Sequence, residues 1–306
     1  MKIINGFENL PSISKNTITA IGNFDGVHLG HKKILKFLSK KADELGLFSM
    51  VLTFSPHPEK ILGETRVKMI QTLDQRLEEI KKFGIQAVLV ISFDKKFSNF
   101  SGQEFIQKIL VNLLRAKVLI VGKNFRFGKN REGDTFLLRR LASRFNLQVF
   151  SLPSVSKGEM IVSSSLIRKF LQEGEIEKPN VLLGRTYVIE GEVIKGKSRG
   201  KILGFPTANI QTRNEIVPPG VFITNVTIGL KKIPSLTNIG HCPTFGQQET
   251  NIESYIINFS KNLYGKKIRI HFIKKLREEI KFDTSEKLSQ QIKKDIDTAK
   301  DYFNIA

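Results

Sequence analysis

Short apolar runs alternate with helical spacing of apolar residues along the first half of the chain. The runs predict buried strands at 18–21, 48–54, 87–92, 117–121 and 147–152. Between them, apolar residues three and four apart predict helices over 32–45, 73–83, 103–114, 135–145 and 164–172. Such alternation is typical of crossover units, so we expect a parallel sheet with helices on both faces. Ligands of such sheets bind at the carboxyl ends of the strands.

The pattern changes after residue 173. Residues 174–179 are polar and include a proline, and helical periodicity then largely disappears. Stretches of period two, separated by glycine and proline turns, predict strands at 187–193, 221–228, 253–259 and 268–273. We expect an antiparallel sheet closed into a small barrel. A final amphipathic helix is predicted, with one apolar face made of Leu288, Ile292, Ile296, Ala299 and Phe303. The two patterns predict an N-terminal domain over 1–180 and a C-terminal domain over 181–306.

The composition is that of an ordinary globular protein. The 306 residues are 40% hydrophobic and 25% charged, which is enough chain for two domains with sizeable cores. No apolar run approaches the roughly 18–20 residues that span a bilayer, and the N-terminus has no secretory pattern. The single cysteine, Cys242, excludes an intrachain disulfide and fits a reducing compartment. We therefore expect a cytoplasmic protein without a membrane partner.

The charge balance is strongly basic. Lysine and arginine total 49 against 29 acidic residues, a net charge of +20. Such a charge favours phosphate-bearing partners, which include nucleic acids and phosphorylated small molecules. The lysines are spread over many segments, and no RNA-binding or zinc-finger string is present. Nucleic acid is therefore not the expected partner, although charge alone does not decide between the two.

Candidate chemistry begins at 22–31, between the first predicted strand and the first predicted helix. Two imidazoles, His28 and His31, stand at the entrance of that helix. Glycines at Gly22, Gly26 and Gly30 remove side chains around them. A helix N-terminus offers unpaired N–H groups and the positive end of the dipole, which suits a polyphosphate. Histidines donate hydrogen bonds to a phosphoryl group as charge builds on it.

Three further strings lie at predicted strand ends or open a predicted helix, at 53–58, 121–128 and 163–168. Together with the HxGH box at 28–31, they resemble the nucleotidylyltransferase superfamily, and within it the adenylyltransferase half of bacterial FAD synthetases. The four boxes are present in the family's order. Ser165 stands where the family usually has threonine, which keeps the hydroxyl. The resemblance implies a Rossmann-like domain that transfers AMP from ATP to FMN.

The resemblance also implies roles for individual residues. His28, His31 and Asp25 are the implied catalytic residues, with Asp25 orienting a histidine or helping to hold a metal. Asn124 positions either the flavin nucleotide or the adenosine. Hydroxyl and N–H groups at 163–165, with Arg168, suit the phosphates that leave as pyrophosphate. The implied nucleotide-binding residues are Gly22, Phe24, Gly26, Gly30, Asn124, Ser163, Ser164, Ser165 and Arg168. Mg²⁺ is the expected metal, because the reaction needs positioning and charge stabilisation rather than a covalent intermediate.

The second half resembles riboflavin kinase. The resemblance rests on the GFPTAN string at 204–209 and on strings at 218–222, 238–245, 263–266 and 277–282. It implies that Thr207 and Asn209 supply oxygens to Mg²⁺ on ATP, and that Glu253 is the catalytic base. The implied nucleotide-binding residues are Gly196, Lys201, Gly204 and Pro206. Two departures, Phe222 for the usual tyrosine and Asn258 for the frequent aspartate, remove none of these groups.

The sequence thus predicts one chain with two activities. The barrel phosphorylates riboflavin with ATP to give FMN, and the first domain adenylylates FMN to give FAD and pyrophosphate. Two alternatives stay open: a nucleotidylyltransferase for another phosphorylated acceptor, and a basic nucleic-acid-binding protein that reuses the fold. We expect a monomer or a weak homo-oligomer.

Overall fold

The chain forms two compact units, 1–163 and 164–306, which are described separately. A computed structural model describes residues 1–63, 67–196, 204–244 and 247–305, and within 241–249 it describes the backbone alone. The division falls between Ser163 and Ser164, whereas the predicted domain boundary at 180/181 lies inside a helix of the second unit. No helix in the described ranges is both long and apolar enough to cross a membrane.

A six-stranded parallel sheet organises the first unit. Its strands are β1 (Lys2–Asn5), β2 (Thr17–Ile21), β3 (Phe48–Phe54), β4 (Ala87–Ile91), β5 (Ala116–Gly122) and β6 (Gln148–Leu152). Their order across the sheet is β1-β4-β3-β2-β5-β6, and every pair is parallel. The order reverses at β2, which has β3 on one side and β5 on the other. A crevice at the carboxyl end of β2 is therefore the expected ligand site of this sheet.

Helices connect the strands of the first unit. They are α1 (Leu29–Leu45), α2 (Pro58–Leu62), α3 (Leu73–Lys81), α4 (Lys95–Ser98), α5 (Gly102–Glu104) and α6 (Thr135–Ser143). A π-helical segment, Phe105–Leu113, continues α5, and a short antiparallel pair, β7 (Ser156–Lys157) and β8 (Met160–Ile161), follows β6. Separate apolar clusters pack on the two faces of the sheet. The predicted parallel sheet with helices on both faces is confirmed.

The second unit begins with two helices, α7 (Ser164–Gln172) and α8 (Glu177–Leu183). Six antiparallel strands then close into a barrel in the order β10-β13-β12-β11-β14-β9. They are β9 (Tyr187–Ile194), β10 (Ala208–Thr212), β11 (Gly220–Ile228), β12 (Lys231–Thr244), β13 (Gln247–Ile256) and β14 (Lys267–Arg277). The helix α9 (Ser285–Phe303) follows the barrel. The predicted antiparallel barrel with a terminal helix is confirmed.

The barrel has a partly polar interior and an apolar outer patch. Inside, four fully buried hydroxyls form a ladder: the Thr224 oxygen lies 2.8 Å from those of Ser235 and Thr237, and Thr237 lies 2.7 Å from Ser254. Outside, Ile296 and Ala299 of α9 pack with apolar residues of β11 and β12. The apolar face predicted for helix α9 is therefore the face that packs on the barrel.

Candidate active sites

The two imidazoles lie where β2 passes into α1. His28 is the N-cap of α1, and its Nδ1 accepts a hydrogen bond from the backbone N–H of His31 at 3.3 Å. The rings stack with centroids 3.6 Å apart and planes 15° apart. Because Nδ1 of His28 accepts, the neutral ring carries its proton on Nε2, which is then a donor. Two features of this corner of the sheet suit an anion: the Nε2 donor of His28 and the N-terminus of α1.

The glycines around the imidazoles leave the space that the rings fill. A Cβ at Gly30 would lie 3.1 Å from Cε1 of His28, and one at Gly22 would lie 3.3 Å from the Phe24 ring. Gly26 has a φ of +83°, a conformation that other residues rarely adopt. Phe24 also has a positive φ, of 51°, and is completely buried, so packing holds the strained backbone of this loop.

Asp25 lies inside the protein, where its carboxylate binds backbone N–H groups. It is 1% exposed, and it accepts hydrogen bonds from Ile70 N at 3.1 and 3.2 Å and from Gln71 N at 3.4 Å. These hydrogen bonds attach the residues just before α3 to the first motif, 22–31. They give Asp25 a structural role beside the two roles that the resemblance implies.

The second motif, 53–58, meets the first through His57. The Nδ1 atom of His57 accepts from Glu59 N at 3.2 Å, and its Nε2 lies 2.7 Å from Nδ2 of Asn23. His57 is 6% exposed. Asn23 and His57 lie within the motifs 22–31 and 53–58, but no role was predicted for either residue. Their positions at the ends of β2 and β3, adjacent parallel strands, were the signal for this contact.

Arg76 of α3 is a further residue that the sequence analysis missed. Its side chain is 3% exposed; Nη1 donates to the carbonyl of Asn23 at 2.6 Å, and Nη2 donates to that of Phe54 at 3.0 Å. Burial lowers the pKa of the guanidinium from its usual value, while the charge of Asp25 acts in the opposite direction. A signal was present, because Arg76 lies three residues after Leu73 and four before Ile80, on the apolar face of the helix.

The third motif, 121–128, lies in the first unit, whereas the fourth motif, 163–168, is divided between the two units. Asn124 is exposed in the turn after β5, beside Phe125, whose ring stacks on Phe127 at 5.7 Å. Ser163 ends the first unit, whereas Ser164, Ser165 and Arg168 are the start of the second, on α7. That the serines and Arg168 act together with the histidines stays a prediction.

Asn209 and Glu253 face the same side of the barrel. They are direct register partners on β10 and β13, and Asn238 of β12 is the partner of Glu253 on its other side. Opposite residues of antiparallel strands project from the same face. Their neighbours Ser254 and Thr237 are buried in the hydroxyl ladder, so these three polar residues lie on the outer face. Nδ2 of Asn251 donates to Oε1 of Glu253 at 2.9 Å and fixes the carboxylate.

The other predicted kinase residues are placed less directly, and Gly196 is the one shown to lie against this row. Gly196 approaches the Asn209 amide so closely that any Cβ would overlap it. Thr207 directly precedes β10, Gly204 has a φ of +86°, and Pro206 is exposed. Lys201 lies outside the described residues. Neither Asn238 nor Asn251 was assigned a role from the sequence. Only the register of β12 and β13 brings Asn238 to Glu253, and the bond from Asn251 depends on the orientation of its side chain.

Oxygen donors in this row fit Mg²⁺ shared with phosphates. The described residues contain no group of three or more His, Cys, Asp or Glu placed to hold a metal. Thr207 and Asn209 carry side-chain oxygens of the hard type that Mg²⁺ prefers, and Asn209 lies opposite Glu253. Mg²⁺ usually keeps several waters and binds through one or two protein groups plus substrate phosphates. The donor set therefore suits an ion that arrives with a nucleotide.

The two departures from the kinase pattern are accommodated. Phe222 lies inside the barrel, completely buried, with its ring perpendicular to Phe272 at a centroid distance of 5.2 Å. Asn258 has a φ of 54° in the turn after β13, and asparagine tolerates this conformation. Neither residue is a register partner of Asn209 or Glu253.

Comparison with known proteins gives two family matches on separate spans. A family model described as FAD synthetase matches residues 10–166, and one described as riboflavin kinase matches 183–303. Three curated relatives are named bifunctional riboflavin kinase/FMN adenylyltransferase. That of Buchnera aphidicola subsp. Schizaphis graminum is 38% identical and covers 100% of both chains. That of Haemophilus influenzae is 36% identical over 99% of this chain and 100% of its own, and that of Escherichia coli K12 is 34% identical over 100% and 99%.

Among solved structures, one that resembles the chain over nearly its whole length shows the fold. It is a Streptococcus pneumoniae protein whose title calls it a macrolide-efflux protein, with a TM-score of 0.90, 24% identity, and coverage of 98% of this chain and 99% of that one. At this identity the likeness shows the fold alone.

Proposed function

The chain belongs to the family of bifunctional riboflavin kinases/FMN adenylyltransferases, and on this premise we propose which residues carry its two reactions. The enzyme phosphorylates riboflavin with ATP to give FMN, and it transfers AMP from ATP to FMN to give FAD and pyrophosphate. The observation that carries the proposal is that each family match falls on a span with its own cluster of polar residues, His28 and His31 within 10–166 and Asn209 and Glu253 within 183–303.

We assign adenylyl transfer to the corner of β2 and α1. The FMN phosphate attacks the α-phosphorus of ATP, the bond from that phosphorus to the bridging oxygen breaks, and pyrophosphate leaves. Negative charge builds on the phosphoryl oxygens, and the Nε2 donor of His28 with the α1 N-terminus suits that charge. His31 stacks on the His28 ring and orients it. Ser163, Ser164, Ser165 and Arg168 are proposed to hold the departing phosphates.

We assign riboflavin phosphorylation to the outer face of the barrel at β10 and β13. The Glu253 carboxylate accepts the proton of the ribityl 5′-hydroxyl as that oxygen attacks the γ-phosphorus, and ADP leaves. Asn251 donates a hydrogen bond to one oxygen of this carboxylate, and that bond also fixes the position of the other oxygen. Thr207 and Asn209 would hold Mg²⁺, which supplies charge neutralisation on the ATP phosphates. Gly196, Gly204, Pro206 and Lys201 are the proposed nucleotide contacts.

A product assay tests this division. Purified protein is incubated with riboflavin, ATP and Mg²⁺, and FMN and FAD are separated by chromatography. We expect FMN first and FAD after it. Supplying a nicotinate or pantetheine phosphate instead of flavin tests the alternative acceptors. Tight, salt-dependent oligonucleotide binding without flavin turnover would favour the nucleic-acid alternative and overturn the proposal.

Two variants separate the sites. His28→Ala is expected to suppress FAD formation and to spare riboflavin phosphorylation. Glu253→Ala is expected to abolish FMN formation while the variant still makes FAD from supplied FMN. Equal loss of both reactions in a folded His28→Ala variant would contradict the assignment of His28. Normal FMN production by Glu253→Ala would remove Glu253 from the base role.

We also propose a cytoplasmic enzyme that is a monomer or a weak homo-oligomer. Its single cysteine supports a reducing compartment, and its substrates are small phosphorylated or hydroxylated molecules. Sedimentation at several protein concentrations, and fractionation of the source cells, test these two points.

A further inference from the structure

Arg76 joins the ends of the two neighbouring strands that carry the first and second motifs. One guanidinium nitrogen donates to the carbonyl of Asn23, just beyond β2, and the other donates to that of Phe54, the last residue of β3. The guanidinium is planar and its donors have fixed spacing. Both carbonyls are therefore held at the spacing that this one buried group imposes.

Each of these carbonyls lies shortly before an imidazole in the chain. Asn23 lies five residues before His28, and Phe54 lies three residues before His57. The side chain of Asn23 also meets the His57 ring at 2.7 Å, so the loops are linked directly beside Arg76. A relative shift of the two loops would therefore move His57 against Asn23 and His28.

Two other links between these segments are neutral hydrogen bonds. The Thr53 hydroxyl donates to the same Asn23 carbonyl at 3.1 Å, and Gly22 N donates to Leu52 O at 3.1 Å. Bonds from a charged donor are roughly twice as strong as neutral ones. Arg76 is thus the strongest of these links, while the remaining ones keep the strands paired without it.

We propose that Arg76 is a positioning residue for adenylyl transfer. It holds the two motif loops in the spacing at which the imidazole of His28 meets the developing charge. The proposal rests on the function assigned to this unit. A lysine keeps the positive charge but replaces the planar fork with one ammonium group, so it cannot serve both carbonyls in the same geometry.

The test compares Arg76→Lys with the wild type in FAD formation from FMN and ATP. We expect kcat to fall by about 10- to 100-fold, since misplacement of reacting groups by about 1 Å has effects of this size. The KM values for both substrates are expected to stay within about twofold. Lys81→Gln, an exposed position on the same helix, is the matched control and should leave kcat unchanged. Riboflavin phosphorylation by the same sample should also be unchanged.

A second measurement distinguishes positioning from general stability. Asn23→Ala removes the amide link to His57 but keeps the backbone carbonyl. If Arg76 acts through these loops, Arg76→Lys costs less in the Asn23→Ala background than in the wild type. Fully additive losses, or an Arg76→Lys enzyme that is folded by circular dichroism and has wild-type kcat, would overturn the proposal. The wild type is assayed in parallel. If the wild type itself makes no FAD, the result refutes the function assigned to this unit and not the role of Arg76.

Discussion

Gly30→Ala should separate the stability of α1 from the placement of the His28 ring. Alanine stabilises a helix relative to glycine by up to about 1 kcal/mol, which corresponds to a rise in Tm of about 2–4 °C for a unit of this size. The new Cβ would lie 3.1 Å from Cε1 and 3.2 Å from Nδ1 of His28, so the ring must shift by a few tenths of an ångström. Since a shift of about 1 Å costs about 100-fold in rate, we expect FAD formation to fall by about tenfold.

Two measurements on the same sample decide this prediction. Thermal unfolding followed by circular dichroism should give a Tm equal to or above that of the wild type. Chromatography should show slower FAD formation and normal FMN formation. Lys36→Ala is the matched control, because it places alanine at an exposed position of the same helix, away from the imidazoles. An unchanged rate of FAD formation would refute the steric reasoning. A joint fall of rate and Tm would show that the helix, not the ring, was disturbed.

Three further outcomes are expected. Asp295→Asn removes the charge that pairs with Arg277 at 2.7 Å, where both side chains are largely buried. It should lower the free energy of unfolding by about 2 kcal/mol in urea titrations, the size of a hydrogen bond to a charged group, and an unchanged value would contradict this. Burial, with the charges of Lys232 and Arg269, lowers the pKa of His271 from 6.5 to about 4. The unfolded chain therefore binds a proton first as pH falls, so stability should decline between pH 6.5 and about 4, and His271→Gln should flatten this decline. EDTA should stop both reactions and excess Mg²⁺ should restore them; turnover that persists in EDTA would contradict the proposed metal.

Strong periodicity made most of the first unit predictable. Helix α1 ends where the sequence predicts, because Gly46 adopts the left-handed conformation at its C-cap. Strand β1 was missed because only Ile4 of its four residues is buried, which leaves no alternation to detect. The helix predicted over 103–114 is π-helical over Phe105–Leu113, a difference in hydrogen-bond register that apolar spacing does not reveal.

Proline obscured parts of the second unit. Pro179 suggested a broken segment, yet it is the third residue of α8, within the first turn, where a backbone N–H has no helical partner to lose. Strand β12 contains Pro234 and Pro243, which interrupt its pattern, and the sequence analysis does not predict it. Strand β10 was also missed, since Ile210 is its only fully buried residue.

Motifs located the candidate residues, but not the contacts between them. Glu253 and Asn209 were expected in one site, and the register of β10 and β13 makes them partners. The bond from Asn251 to Glu253 joins residues two apart on one strand and depends on side-chain orientation, which spacing does not determine. Arg76 was missed because a cation on an apolar helix face has no acceptor visible in the sequence; its acceptors are backbone carbonyls of distant loops.

The hydroxyl ladder inside the barrel limits how this protein changes over generations. Thr237 lies between two of these hydroxyls, so a valine at this position would leave both Thr224 and Ser254 without that partner in a fully buried site. Apolar replacements there are tolerated best when neighbouring rungs change together. Substitutions at these positions should therefore occur in linked pairs. Related barrels should carry either several hydroxyls at these positions or hardly any.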